Sequence, residues 1–174
     1  SRTRFRLEGR VLARLRHPQL LAVYESGESG GHDFLVTELV PGLDLATRLD
    51  REGVAPFAFT ARVMARVARC LQYCHEQGIV HRDLKPSNVV VDAATERPVL
   101  IDFGLVKRDP TKLDLGSLDG LSQLSQSGSL KGPPAFMAPE QVRAGKGEEV
   151  GPFTDVYGLG ATLYMLLCGQ APFA

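Results

Sequence analysis

Eight consecutive residues, His81-Arg82-Asp83-Leu84-Lys85-Pro86-Ser87-Asn88, constrain this chain more than any other stretch. Before them runs a stripe at helical spacing, Phe59, Val63, Val67, Cys70, Leu71 and Cys74, closed by Gly78, a residue suited to the position just past a helix end. After them comes a short apolar run, Val89–Val91. The octapeptide is therefore a polar loop pinned between a helix and a strand. A second loop, Asp102-Phe103-Gly104, begins fourteen residues after Asn88, and Ala138-Pro139-Glu140 begins thirty-six after Asp102. One acid, one amide and a second acid on tight loops offer the hard oxygen ligands that suit Mg²⁺, which takes few of them from protein and the rest from phosphate and water. A carboxylate beside that site can receive the proton of an attacking hydroxyl. A nearby lysine places positive charge against a moving phosphoryl group. Any one of these segments alone is an ordinary polar turn; all three in order are a chemical site.

The rest of the chain supplies elements around those loops. Arg4–Arg16 carries Leu7, Val11, Leu12 and Leu15 at helical spacing and stops at His17-Pro18. Leu20–Tyr24 and Phe34–Val40 read as an antiparallel strand pair around a turn over Ser26–Asp33, and Pro41-Gly42 breaks the second run. Asp44 suits the cap of a short helix reaching Arg51, and the longer helix starts near Pro56. Val89–Val91 and Val99–Ile101 form a second strand pair. Leu105–Leu130 is rich in Ser, Gln and Gly and is predicted to be a mobile loop. Thr154–Cys168 is apolar all round, which predicts a buried helix.

Composition narrows the setting. Hydrophobic residues make up 44% of the 174, enough for a packed core. Lys+Arg and Asp+Glu number 20 each, so bulk charge points to no nucleic-acid or anionic-membrane partner. Three cysteines form no disulfide framework and fit a reducing, cytoplasmic compartment; Cys70 and Cys74 share a helix face as small buried hydrophobes. No run within the chain is long enough to span a bilayer, and Ser1-Arg2-Thr3-Arg4 lacks the apolar stretch of a signal peptide. Both ends read as cuts.

The catalytic-loop pattern H-R-D-L-x-x-x-N, followed by D-F-G and A-P-E, resembles the eukaryotic-type Ser/Thr protein kinase family. The resemblance runs the length of the chain, and the Ala/Arg/Leu-rich style resembles bacterial members. It implies an α+β, two-lobed fold with an incomplete small lobe and a mainly helical large lobe. Residues 1–40 would be the small-lobe remnant, with the family's C helix and its fourth and fifth strands. Residues 41–174 would be the large lobe through the F helix, with an activation segment over 102–140. The resemblance makes Asp83 the proton acceptor, Lys85 the contact to the γ-phosphate of ATP, and Asn88 and Asp102 the Mg²⁺ ligands. It gives the hinge residues Glu38 and Val40, together with Asp44 and Val90, to the nucleotide. Asp44 as ribose contact and Asp44 as plain helix cap both stay open. Thr37 falls at the gatekeeper position, and Glu8 matches the C-helix acid that pairs with a strand lysine. Leu12, Val23, His81 and Phe103 match the apolar column between the lobes. Gly104 completes the D-F-G loop, Arg82 matches a residue that awaits a phosphate on a Ser-rich segment with Ser129 the favoured site, Glu140 expects an Arg partner, and Asp155 matches an acceptor for the catalytic loop.

Two departures accompany the resemblance. The glycine-rich loop and the strand lysine of the family do not appear before Glu8, so residues 1–174 taken alone are expected to be inactive. Pro133 stands where the family usually has a Thr whose hydroxyl bonds the catalytic Asp and Lys. The expected activity is transfer of the ATP γ-phosphoryl group to Ser or Thr of a protein substrate. The rival expectation is a pseudokinase that binds protein partners without transfer.

Overall fold

The structure, a computed structural model, describes residues 15–102, 133–142 and 150–173. The expected N-terminal helix, Glu8, Leu12, Phe103, Gly104 and Ser129, and the whole Ser-rich stretch, lie outside the described residues.

Strands β1 (Val23–Ser29) and β2 (His32–Thr37) form an antiparallel hairpin. Its turn is far shorter than the sequence suggested. Ser26 pairs with Leu35, Gly27 with Phe34, Glu28 with Asp33 and Ser29 with His32, so strand fills the range read as a turn. Gly30 and Gly31 reverse the chain by themselves, both at positive φ (58° and 79°), a conformation that two glycines adopt without a Cβ clash. A register shift between Val23 and Glu25 leaves Tyr24 in a bulge.

A second, three-stranded antiparallel sheet has the order β3 (Gly42–Asp44), β4 (Val89–Asp92), β5 (Pro98–Leu100). Strand β3 was not foreseen, because Pro41-Gly42 reads as a break. Gly42 is in fact required for pairing: a Cβ there would overlap the Val91 carbonyl. The register sets Asp44 opposite Val90 and Val90 opposite Val99. The segment before β1 adds to the other edge of this sheet: the Leu100 N–H donates to the Gln19 carbonyl (2.8 Å), and the Leu21 N–H donates to the Leu100 carbonyl (3.1 Å). The hairpin is thereby tied to the sheet that carries the octapeptide.

Helix α1 (Leu45–Glu52) starts where Asp44 accepts from the Thr47 N–H (2.9 Å) and hydroxyl (2.6 Å), so the cap reading holds. Helix α2 (Phe57–Glu76) buries the stripe foreseen in the sequence, with Val67, Cys70 and Cys74 fully enclosed. Each such side chain contributes about 1.5–3 kcal/mol by leaving water. A hydrogen bond with the Cys74 thiol, and then burial, push the Cys70 thiol up, and the cysteines stay free. Past the helix end, Gly78 at φ 73° lets its N–H reach the His75 carbonyl and the Ile79 N–H reach the Cys74 carbonyl, both at 2.9 Å. This paired closure sends the chain straight into the octapeptide.

A 3₁₀ turn at Pro86–Asn88 precedes β4; a second, Pro133–Phe136, precedes helix α3 (Pro139–Val142). Helix α4 (Pro152–Cys168) packs on α2. It is not enclosed on all sides. Asp155, Gly158, Ala161, Thr162 and Leu166 are buried, whereas Val156, Tyr164 and Leu167 are exposed, because α2 and the loops cover only one face among the described residues. Leu84, between Asp83 and Lys85, is buried in the same core as Leu166 and the α2 stripe. No helix of the described residues is long and apolar enough to cross a membrane.

Candidate active site

The octapeptide is held from beneath by one buried carboxylate. Asp155, on the first turn of α4, is 1% exposed and accepts three hydrogen bonds: from the His81 N–H (2.8 Å), the Arg82 N–H (2.7 Å) and His75 Nε2 (2.7 Å). A carboxylate stays ionised in such a place only when its oxygens are filled this way. His75 was not singled out from the sequence; it lies eighty residues from Asp155, and only the packing of α2 on α4 brings the two together.

His81 is fully buried. Burial holds its imidazole below the ordinary 6.5, outweighing the upward pull of Asp155, Asp83 and Asp102. Its bonds fix the neutral tautomer. Nε2 faces the Ile101 carbonyl (3.0 Å) and must donate to it, and Nδ1 then accepts from the Asp83 N–H (3.3 Å). One ring thus couples the backbone at Asp83 to the backbone just before Asp102. The Ile101 N–H donates to the Asn88 carbonyl (2.9 Å), which joins the two loops a second time. Val23, like His81, is buried.

Three of the predicted side chains converge. Lys85 Nζ lies 2.8 Å from Asp83 Oδ2, with both side chains about a fifth exposed. Asn88 Nδ2 donates to the Asp83 carbonyl (2.7 Å) and reaches Asp83 Oδ2 at 3.3 Å. The amide cannot be turned over without setting its oxygen against that carbonyl, so Asn88 Oδ1 is the atom left to accept from, or ligate, another group. Asp102 follows Ile101, whose N–H meets the Asn88 carbonyl; it is exposed and at φ 53°, and Arg82 has φ 67°. Positive φ at non-glycine residues costs roughly 1–3 kcal/mol each and persists where surroundings hold it. Among the described residues no three His, Cys, Asp or Glu side chains form a metal cage. An amide oxygen beside a carboxylate, open to further ligands, is instead the sparse donor set that Mg²⁺ shares with phosphate.

The hinge residues take structural bonds as well. The Thr37 hydroxyl donates to the Glu38 carbonyl (3.2 Å). The Glu38 carboxylate accepts from the Ala22 N–H (3.0 Å) and pairs with Arg97 (2.9 Å), whose guanidinium also donates to the Pro18 carbonyl (2.7 Å). Arg97, another residue the sequence did not flag, so binds the hinge to the turn between β4 and β5. Val40 is half-buried just ahead of β3. Asp44 caps α1 with both oxygens, and Val90 lies across from it.

Glu140 accepts from the Thr154 hydroxyl (2.7 Å), so a neutral group, not an arginine, meets it among the described residues. Beside it, the buried Gln141 donates from Nε2 to the Arg82 carbonyl (2.6 Å) and accepts from the Ala138 N–H (3.1 Å). Nothing in the sequence marks Gln141 as more than an ordinary helix position.

Comparison with known proteins agrees with this geometry. Residues 1–174 match the protein kinase domain family. The chain is 38% identical over 171 residues to the serine/threonine-protein kinase PknL of Mycobacterium tuberculosis, covering 98% of this chain and 39% of that protein. It is 32% identical over 174 residues to the serine/threonine-protein kinase PknB of Mycobacterium leprae, covering 98% of this chain and 26% of that one. It therefore spans well under half the length of these relatives. The crystal structure of the Mycobacterium tuberculosis PknI kinase domain matches with a TM-score of 0.73 at 29% identity, over 98% of this chain and 58% of that one. Rad53, crystallised in complex with AMP-PNP, matches with a TM-score of 0.73 at 25% identity, over 97% and 38%. Alike in sequence over its whole length and in fold over nearly all of it, this chain belongs to the protein kinase family, with bacterial serine/threonine kinases among its relatives.

Proposed function

We propose that this protein is a Ser/Thr protein kinase that transfers the γ-phosphoryl group of ATP to protein hydroxyls. Residues 1–40 would be the part of its small lobe present here, and 41–174 its large lobe through α4. The observation that carries this reading is the convergence of Lys85 and Asn88 on Asp83, each within hydrogen-bond reach of its carboxylate. Asp83 accepts the proton of the substrate hydroxyl, and Asn88 holds it in place through its carbonyl. Lys85, 2.8 Å from Asp83, carries the positive charge nearest the transferred group. Asn88 Oδ1 and the Asp102 carboxylate would hold Mg²⁺, and neutralisation of phosphate charge is the chemistry that ion supplies when bound. The backbone of Glu38 and Val40 would receive the adenine, with Asp44 and Val90 beside the nucleotide. The AMP-PNP in the Rad53 complex supports a nucleotide site in such a fold. Arg82 would meet a phosphate on the Ser-rich stretch, with Ser129 as its site.

Pro133 favours the rival reading, a non-transferring module, because proline lacks the hydroxyl that the family places beside the catalytic Asp and Lys. Retention of Asp83, Asn88 and Asp102 favours the enzyme. Asp83→Asn in the full-length protein separates the two. Phosphotransfer should fall roughly 10²–10⁴-fold, with Mg²⁺-dependent ATP binding by calorimetry retained. Turnover equal to wild type would sink the assignment, and absence of turnover in the wild type would favour the rival.

A further inference from the structure

Arg82 precedes the proposed base and is held in a left-handed conformation, φ 67°. An arginine does not stay there unaided. Its N–H side is fixed by Asp155, at 2.7 Å. The peptide on its other side, which joins it to Asp83, is fixed at both edges. The Asp83 N–H donates to His81 Nδ1 (3.3 Å), and the Arg82 carbonyl accepts from Gln141 Nε2 (2.6 Å). Rotation of that peptide would swing the Asp83 carboxylate away from Lys85 and Asn88. Of the bonds on that peptide, the one from Gln141 is the shorter.

Gln141 is built for this contact. It is 7% exposed, and its own backbone N–H donates to the Ala138 carbonyl (2.9 Å). Its Oε1 accepts from the Ala138 N–H (3.1 Å), so the side chain folds back on its turn with the NH₂ group directed at Arg82. Turning the amide over would oppose oxygen to oxygen and nitrogen to nitrogen, so only one orientation satisfies both partners. An amide is required here: a carboxylate cannot donate, and an ammonium cannot accept.

We infer that Gln141 is a positioning residue for Asp83, acting through the Arg82 carbonyl and tying the end of the 133–142 segment to the loop that carries the base. This rests on the kinase reading above. The experiment uses the full-length protein with Q141E and Q141M. The first keeps an acceptor for the Ala138 N–H but sets a carboxylate oxygen against the Arg82 carbonyl. The second keeps the shape and loses both bonds. Steady-state phosphotransfer is measured below the melting transition of every variant, with rates normalised to folded protein. The expected result is a kcat roughly ten- to a hundredfold lower with KM for ATP unchanged, Q141E being the slower of the two. Wild-type kcat in either variant would overturn the inference. So would a loss confined to KM for ATP, or one that vanishes on normalisation. A wild type without phosphotransfer would overturn the kinase reading and this inference together, whereas an active wild type with unaltered variants overturns the role of Gln141 alone.

Discussion

Replacing Asp155 by alanine takes away the acceptor of three hydrogen bonds of 2.7–2.8 Å at a position 1% exposed. The His81 N–H has nowhere else to turn, because His81 is fully buried and the methyl group that replaces the carboxylate can accept nothing; the half-buried Arg82 N–H loses its partner as well. A buried donor left unsatisfied costs about 1–3 kcal/mol, and the half-buried Arg82 N–H adds a smaller loss, so the two backbone donors together lose about 2–4 kcal/mol. A whole domain has only about 5–15 kcal/mol in hand. At about 2–4 °C per kcal/mol for a domain of this size, the melting temperature should fall on the order of 10 °C. Asp155→Asn keeps one acceptor oxygen but turns an NH₂ group towards the remaining donors, and should fall between wild type and alanine. Activity should drop further than stability predicts. Without Asp155, Arg82 keeps only the grip on its carbonyl side, so φ 67° is less firmly held and Asp83 less firmly placed. The assay is calorimetric melting of the full-length protein beside phosphotransfer measured where every variant is folded. A melting temperature for Asp155→Ala equal to that of wild type would refute the reasoning, since it would mean that the two N–H groups find other partners at no cost.

Two further outcomes follow from the same contacts. Burial holds folded His81 below its ordinary 6.5, so as pH falls through 6.5 the unfolded chain takes up a proton that the folded one refuses. Stability is therefore present above that pH and is lost on acidification, and urea midpoints measured from about pH 7.5 to 5 should fall less steeply in His81→Gln. A residual slope is expected from His17, which burial also holds low. At Gly158 a Cβ would stand 3.1 Å from the Leu84 Cβ and carbonyl oxygen, whereas at Gly160 nothing lies within 4 Å. Gly160→Ala should stabilise α4 by up to about 1 kcal/mol through helix propensity. Gly158→Ala should gain less and lose turnover, because Leu84 stands between Asp83 and Lys85; equal turnover in the two variants would count against that coupling.

What the sequence made legible is what depends on neighbours along the chain. The spacing of Phe59, Val63, Val67, Cys70 and Cys74 dictated the buried face of α2, Gly78 its end, and Asp44 the start of α1, because stripe, cap and closure each act within a few residues. The Asp83, Lys85 and Asn88 cluster was legible for the same reason, being folded within one loop. Strand β3 was not, since three residues beginning with glycine carry no periodicity and form a strand only because β4 presents a ladder. The turn of the first hairpin was read too long, because polar residues on an exposed strand look like loop. Of the long-range ties, only that of Asp155 to the catalytic loop was foretold, by the resemblance and not by spacing. His75 meets Asp155 across 80 positions, and Glu38 meets Arg97 across 59. Helix α4 shows the opposite failure: apolar residues on every side implied burial on every side, yet Val156, Tyr164 and Leu167 are exposed among the described residues.

The two strained residues of the site are held differently, and the difference bears on how it works. Arg82 is gripped on both sides, by Asp155 through its N–H and by Gln141 through its carbonyl, so its conformation is over-determined before any substrate arrives. Asp102 is gripped from the side of Ile101, its predecessor, which is bonded through its N–H to Asn88 and through its carbonyl to His81. Among the described residues no corresponding bond fixes the carboxylate of Asp102 itself. Asp83 is therefore set into a rigid frame, which the role of proton acceptor proposed for it requires. The frame has a single centre. His81 fixes Ile101 through one ring nitrogen and Asp83 through the other, so a change in the position of either loop is passed to its neighbour through one buried, neutral imidazole.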